Sequence, residues 1–409
     1  MSTRPASRSL FREPDFLRLW LAGFVAFSVR WLEILVFGVF TYRQADSAFL
    51  VAGMIMLRLL PMALFGLPFG AYAARISRRL GLLVSFAVLA LVSTTLAIIA
   101  ALDQLAIWHL ALAALINGVA WAGDNPLRRG LIGDVVGPLR MGRAMALDVG
   151  SSHACRLLGP ALGGFLLARH GMASVFMLIT CLYAIALFAM ALLQYTEVAR
   201  DRSPMSLRSM LATGLSTARE SPRLAGALWI TLIFNVFGWP VLSMVPVIGQ
   251  DRLGLDAEGI GLLASMDGGG ALVGAFLLSL LSRPQWYGRL YVGGISVFLV
   301  MLPLFAMSEH AIGAGAALLI LGVGSSAFSV MQATIVFIAA PADRRVQAMG
   351  LLTMCIGMGP IGFLQLGWLA ESLGAPTAAV CSAMTGLVLL GLSWPWWRAC
   401  WRNEQPPDA

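Results

Sequence analysis

The sequence predicts an all-α integral membrane protein with about twelve transmembrane helices in two six-helix pseudo-symmetric bundles. Three observations carry that prediction. Of its 409 residues 59% are hydrophobic and 12% charged, with mean hydropathy +0.83, whereas soluble domains carry about 25% charged residues. The apolar residues fall into long blocks of roughly 20, the length at which a helix crosses the hydrocarbon core. The two halves also correspond: at an offset of 200, Gly150, Cys155, Gly159, Pro160 and Cys181 fall on Gly350, Cys355, Gly359, Pro360 and Cys381. At a slightly larger offset, Gly66, Gly70 and Arg79 fall on Gly270, Gly274 and Arg283, as a duplicated six-helix unit would produce.

In chain order, residues 1–15 are polar, with Arg4, Arg8 and Arg12, and do not form a cleavable signal. The apolar run that follows is too long for a signal h-region, so the first helix is expected to remain as an anchor. Candidate spans lie near 16–40, 47–72, 80–101, 105–126, 144–168 and 172–194 in the first half. Those of the second half lie near 223–247, 259–281, 289–307, 312–338, 346–370 and 376–397. The expected organisation is therefore a bundle over 1–195, a linker over 196–222 and a second bundle over 223–409. Within the linker, Ser206–Thr217 is expected to form a surface helix.

Alternate loops differ sharply in arginine. One set holds Arg75, Arg78, Arg79, Arg128, Arg129, Arg140, Arg143, Arg200, Arg202, Arg208, Arg219, Arg283, Arg289, Arg344 and Arg345. The other holds Arg43, Asp46, Asp103, Arg169, Asp251, Arg252, Asp256, Glu258 and Glu309. The positive-inside rule then places both termini in the cytoplasm.

All 28 basic residues are arginine. Without lysine the chain has no Walker A loop and no Schiff-base nucleophile. Net charge +8 and pI 9.8 could suit nucleic acid, but the arginines sit between apolar blocks, where topology explains them, so no nucleic-acid partner is expected. His109, His153, His170 and His310 are dispersed, and the five cysteines form no CxxC pair. No metal, no cofactor and no disulfide is therefore expected. With no G-x-S-x-G elbow either, the chain is not expected to be an enzyme.

The stretch from Asn125 to Leu167 organises the first half. An arginine-bearing loop with Arg128, Arg129, Arg140 and Arg143 leads into an apolar helix. That helix carries Arg156, then Gly159, Pro160, Gly163 and Gly164. Such a composition would ruin a soluble helix, but in a membrane small residues let backbones approach and neighbours satisfy the groups that proline frees. A bending helix is expected here.

With these residues in place the chain resembles a major facilitator superfamily transporter over nearly its whole length. Gly66, Gly70, Arg75, Arg78 and Arg79 match that family's loop between helices two and three, with Ala74 and Ser77 replacing the usual Asp and Gly. Gly159-Pro160-Ala161-Leu162-Gly163-Gly164 resembles the antiporter motif of its exporters. Asn125-Pro126, Arg128-Arg129, Asp134-Val135-Val136 and Arg156 resemble a branch that includes bacterial siderophore exporters and macrolide efflux proteins. The resemblance implies a multi-pass protein of the bacterial cytoplasmic (inner) membrane, a small-molecule substrate, protons as the coupling ion and a monomer in the lipid bilayer.

Charges inside the spans cost about 2.5 kcal/mol or more at the bilayer centre and so mark candidate sites. Arg30 and Glu33 lie three apart on one helix face and are expected to neutralise each other, either as a structural pair or in a cavity. Arg58 precedes Pro61 at mid-span, where a ligand or charge-network role and a purely structural one are equally open. Arg156 reads equally as a structural guanidinium bonded to backbone carbonyls and as a substrate contact. Asp267, the only carboxylate deep in the second half, is the candidate proton carrier, with a water-exposed cavity wall as the alternative. Asp124 and Asp148 are expected to pair with the loop arginines. His153 shares a face with Arg156, and Gln332 and Gln365 read as helix-to-helix hydrogen bonders. Trp20, Trp31, Trp108, Trp239, Trp368 and Trp394 read as an interfacial belt.

Together these lead to a secondary active exporter of a siderophore-like or drug-like molecule, working by alternating access. Its substrate and proton-coupling candidates are Arg30, Glu33, Arg58, Arg156 and Asp267. Three mid-span arginines against two deep carboxylates lead to the expectation of a cavity tolerant of anions. A proton-coupled importer and a non-transporting membrane sensor on the same fold stay open at this level.

Overall fold

The computed structural model describes residues 10–72, 77–137, 140–195, 207–341 and 344–402. Five helices build the first half: α1 (Pro14–Ala45), α2 (Ala48–Tyr72), α3 (Arg78–Ala101), α4 (Ile107–Val136) and α5 (Met141–Ala191). A helix α6 (Leu207–Glu220) follows, covering most of the expected surface helix. The second half begins with α7 (Pro222–Ile233), a π turn over Phe234–Gly238, a 3-10 stretch over Trp239–Met244 and α8 (Val245–Asp251). These pieces form one span, Pro222–Asp251, loosened around Pro240 because a proline inside a helix removes a backbone donor. Then come α9 (Ala257–Leu281), α10 (Tyr287–Met307), α11 (Ala311–Ala339), α12 (Arg345–Ile356), α13 (Gly359–Leu373), α14 (Ala375–Leu392) and α15 (Trp394–Arg402).

α5 has 51 residues, about 76 Å at 1.5 Å per residue, enough to cross a bilayer twice. Its helical dihedrals fail at one residue, Gly171, with φ 75°. That left-handed turn, open to glycine because it lacks Cβ, separates the fifth and sixth spans. The chain is thus an all-helical multi-span membrane protein. Large apolar side chains stand exposed along its outer surface, Leu91 at 68%, Ile312 at 88% and Leu392 at 77% among them, as lipid contact requires.

Several boundaries differ from the sequence expectation. The fourth span does not stop at 126: α4 continues to Val136, and Arg128 and Arg129 lie on it instead of in a loop. The fifth span is helical through Pro160, so Gly159–Pro160 is not where the backbone departs from helix. The eleventh span breaks between α12 and α13, beside Pro360. The last span ends at Leu392, and α15 forms a separate amphipathic helix. α15 docks by Trp397 Nε1 donating to the Leu390 carbonyl at 2.7 Å and by Cys400 Sγ donating to that of Arg223 at 3.0 Å. Burial raises the Cys400 thiol, to about 12.

Each half has its own core. Leu19, Leu32, Phe86, Leu110, Leu131 and Phe176 pack in the first; Ile230, Tyr291, Phe298, Leu321 and Phe363 pack in the second, where Val51 and Leu59 of α2 join them. The halves meet through two matching helix pairs. α5 lies on α1 within its half and on α9 across the divide, and α13 lies on the Pro222–Asp251 span and on α2 in the same way. On the face away from the start of α1, Tyr42 donates to Asp251, Ser47 Oγ and the Phe49 amide to Glu371 (3.1 and 3.2 Å), and Arg169 to Glu258 at 3.4 Å. These bonds tie the two halves at that end.

Candidate functional site

Small residues set the distance between the helices that meet at the centre. A Cβ on Gly159 would stand 2.8 Å from Trp31 Cβ and 3.1 Å from the Leu32 nitrogen of α1, and one on Gly163 would meet Val36 and Leu32. On the opposite side of α5, a Cβ on Gly164 would lie 2.4 Å from the Ala257 carbonyl oxygen and 2.9 Å from Gly261 Cα. Gly261 and Gly268 of α9 return the contact: their Cβ positions fall 2.6 Å from the Pro160 oxygen and 2.4 Å from the Arg156 carbonyl. The antiporter-like segment is therefore a two-sided seam on which backbone meets backbone.

The seam aligns Arg156 with Asp267. Arg156 Nε donates to Asp267 Oδ2 at 2.7 Å and its NH2 to the same oxygen at 2.5 Å, while NH1 reaches Ser325 Oγ of α11 at 3.4 Å. The guanidinium also lies 5.0 Å from the Trp31 ring centre, within cation–π range. Arg156 is thus bonded to side chains of the other half, not to the backbone carbonyls around Pro160. Asp267 Oδ1 is buried with no hydrogen-bond partner. His153 lies one turn away, as expected.

Arg30 and Glu33 do not neutralise each other. Glu33 instead accepts from Arg58 NH2 of α2 at 2.7 Å, both side chains nearly inaccessible at 3% and 6%. Their position on one helix face was legible, but α2 brings a better-aligned cation to Glu33. Arg30 turns towards α4 and stacks on Trp121, 4.0 Å from its ring centre, with Phe27 at 5.5 Å. Breaking a buried pair leaves an uncompensated charge, at a cost of about 3–5 kcal/mol, whereas replacing both members is often neutral. Arg58→Met and Glu33→Met are each expected to lower thermal stability in detergent strongly, and the double substitution to recover most of the loss. Additive losses would show that the pair carries no stability.

Nearer the end that carries the start of α1, Arg128 is fully inaccessible. It donates to both oxygens of Asp124 at 3.2 Å and, through NH1, to Asp148 of α5. Arg129 adds a second cation to Asp148 at 3.2 Å. Asp124 and Asp148 do pair with these arginines, as expected, but inside the protein, because α4 runs past them. Arg78 bonds Asp134 at 2.7 Å and Arg79 the Ala191 carbonyl at 2.8 Å, bracing the start of α3 against α4 and α5. Gly66 and Gly70 lie on α2; Ala74 and Arg75 lie outside the described residues.

Two cavities occupy the centre. The larger, about 700 Å³, lies between the halves, and Trp31, Ile55, Trp239, Leu242, Phe363 and Asp267 are among its walls. Among the described residues Asp267 is the one ionisable side chain lining it; Arg30, Arg58 and Arg156 do not. Trp31 and Trp239 thus leave the expected interfacial belt for the cavity. Their mid-helix positions could have marked this, but apolar periodicity does not tell a lipid face from a cavity face. The smaller cavity, about 370 Å³, lies inside the first half and holds Arg30, Arg58, Asn117, Trp121, Asp124 and Tyr183. Gln332 reaches neither: its Nε2 donates to Thr231 Oγ1 at 2.9 Å as helix-to-helix glue. Among the described residues no group of three or more His, Cys, Asp or Glu could hold a metal.

Among the described residues, helices long and apolar enough to cross a membrane surround a central cavity, with an ion pair joining the two halves across it, the architecture of a transporter. Residues 19–363 match the Major Facilitator Superfamily, and the chain belongs to that family of transporters. A solved nucleoside transporter is similar over 94% of this chain and all of its own, at 14% identity and TM-score 0.75. A POT family transporter in complex with a thioalcohol-conjugated peptide is similar at 12% identity and TM-score 0.78, covering 94% and 96% of the two chains. A bacterial homologue of the human lysosomal transporter Spinster, inward-facing and unoccupied, is similar at 14% identity and TM-score 0.71, covering 97% and 100%. No curated protein matches the chain.

Proposed function

We propose that this transporter is a proton-coupled exporter of a small, largely apolar aromatic molecule, driven through the Arg156–Asp267 pair. The observation that carries this reading is the placement of Asp267. Among the described residues it is the one ionisable group on the wall of the central cavity, it spans the divide to Arg156, and it keeps an oxygen unpartnered. A proton on Asp267 removes the charge that holds Arg156, loosening α9 from α5 where the glycine seam lets them slide. Rocking of the two bundles about the cavity then exposes it alternately to the two sides. The wall of Trp31, Trp239 and Phe363 suits a drug-like molecule or the aromatic part of a siderophore-like one. It supports the expectation of an arginine-lined anionic cavity poorly, since Arg58 and Arg156 are engaged by carboxylates.

Outward direction is supported by the Gly159–Gly164 segment, which resembles that of exporters. The arginine asymmetry of the loops supports both termini in the cytoplasm of a bacterial cell, with the bundles over 1–195 and 223–409. Membrane vesicles turned inside out test the reading. A fluorescent aromatic dye should accumulate when the lumen is acidified, and a protonophore should abolish the accumulation. Asp267→Asn should reduce it at least about tenfold, equivalent to about 1.4 kcal/mol. Unchanged accumulation in Asp267→Asn refutes coupling there, and accumulation driven by an alkaline lumen reverses the direction.

A further inference from the structure

We infer that the smaller cavity, inside the first bundle, is an oxyanion site in which Arg30 and Trp121 hold a carboxylate-type group. This deepens the proposed function by assigning an anionic ligand to a place separate from the aromatic cavity. The ledger of charges and donors leads there. Of the ionisable groups on the wall, Arg58 is held by Glu33 and Asp124 by Arg128. Arg30 is left without a direct partner: among the described residues it makes no ion pair and no hydrogen bond, only its ring contacts and a longer-range attraction to Asp124.

Two further groups on the same wall are unfilled. Trp121 Nε1 and Arg58 Nε are both buried without an acceptor. All of these are donors. The amide and carboxylate acceptors beside them are taken, since Asn117 Oδ1 accepts from the Tyr183 hydroxyl at 3.2 Å and both Asp124 oxygens accept from Arg128. A cavity with a cation lacking a direct partner and unfilled N–H groups suits a ligand that accepts, which is the chemistry of a carboxylate, sulfate or phosphate. The Arg30 guanidinium lies over the Trp121 ring, and no hydrogen bond engages its N–H groups.

The test uses the purified full-length protein in detergent at low chloride, with thermal unfolding as readout. Benzoate is the probe, neutral benzamide its shape control, and inorganic sulfate and phosphate the smaller oxyanions. Benzoate should raise the unfolding temperature and benzamide should not. In Arg30→Gln, measured against its own unliganded baseline, the half-saturating benzoate concentration should rise at least about tenfold, the worth of a charge-assisted hydrogen bond. Trp121→Phe keeps the stack and loses the N–H, so it should weaken binding less. Asp267→Asn should bind benzoate as the parent does, so failure of proton coupling and failure of this site are told apart. Labelled benzoate carried across liposomes would make the anion part of the cargo; bound but not carried, it is a resident counter-ion, and both outcomes support the site. Equal shifts with benzoate and benzamide, an undiminished shift in Arg30→Gln, or no shift with any of the oxyanions overturns it.

Discussion

Arg128→Ala is expected to be the most destabilising single substitution in this protein. It strips the cation from Asp124 and removes the nearer of two cations from Asp148, in a place with no solvent access to the guanidinium. Removing one partner of a buried pair costs about 3–5 kcal/mol, and here two carboxylates lose it together. The protein should be recovered from membranes in low yield and should unfold well below the parent in a detergent thermal ramp. Arg128→Lys keeps a charge but loses the fork that reaches both carboxylates, and should fall between. Parent-like unfolding of Arg128→Ala would show that Arg129 alone can hold Asp148 and that Asp124 is dispensable.

Gly268→Val is expected to have the largest effect on transport with the protein still in the membrane. A Cβ at 268 would stand 2.4 Å from the carbonyl carbon and oxygen of Arg156 and from the Leu157 nitrogen. All three are backbone atoms of α5, so the helix must move, and overpacking of this kind costs about 1–3 kcal/mol. The displacement falls beside the Asp267–Arg156 pair, so dye accumulation in inverted vesicles should drop at least about tenfold, since each 1.4 kcal/mol is a factor of ten. Gly269→Ala is the control one residue along. Its Cβ would meet only the Leu157 Cδ1 at 3.4 Å, and transport should persist. If Gly268→Val transports normally, α5 and α9 are not close during the cycle and the seam is not where the bundles move.

The membrane fold was legible because insertion is decided segment by segment. Each apolar block satisfies its own backbone and transfers its own side chains, so the spans could be placed without knowing their neighbours. Where the boundaries slipped, the reason was tertiary. α4 carries Arg128 past the expected stop because Asp148, 20 residues further on, receives it. The last span ends early because α15 finds a seat on Gly226 and Gly288, whose Cβ positions would clash with the backbone of residues 396–400.

The candidate site was legible as a set of residues and illegible as a set of pairs. Arg30, Glu33, Arg58, Arg156 and Asp267 all stood out because an ionisable group within a span is costly wherever it lies. The sequence by itself thus determined the class of fold, the approximate places of the spans and the short register of charges worth examining. Only the tertiary structure decided that Glu33 takes Arg58 rather than Arg30, that Arg156 reaches Asp267 across 111 residues, and that Trp31 and Trp239 face a cavity. The physical reason is that burial acts locally along the chain, whereas a salt bridge or a cavity wall depends on which helices the packing of small residues brings side by side.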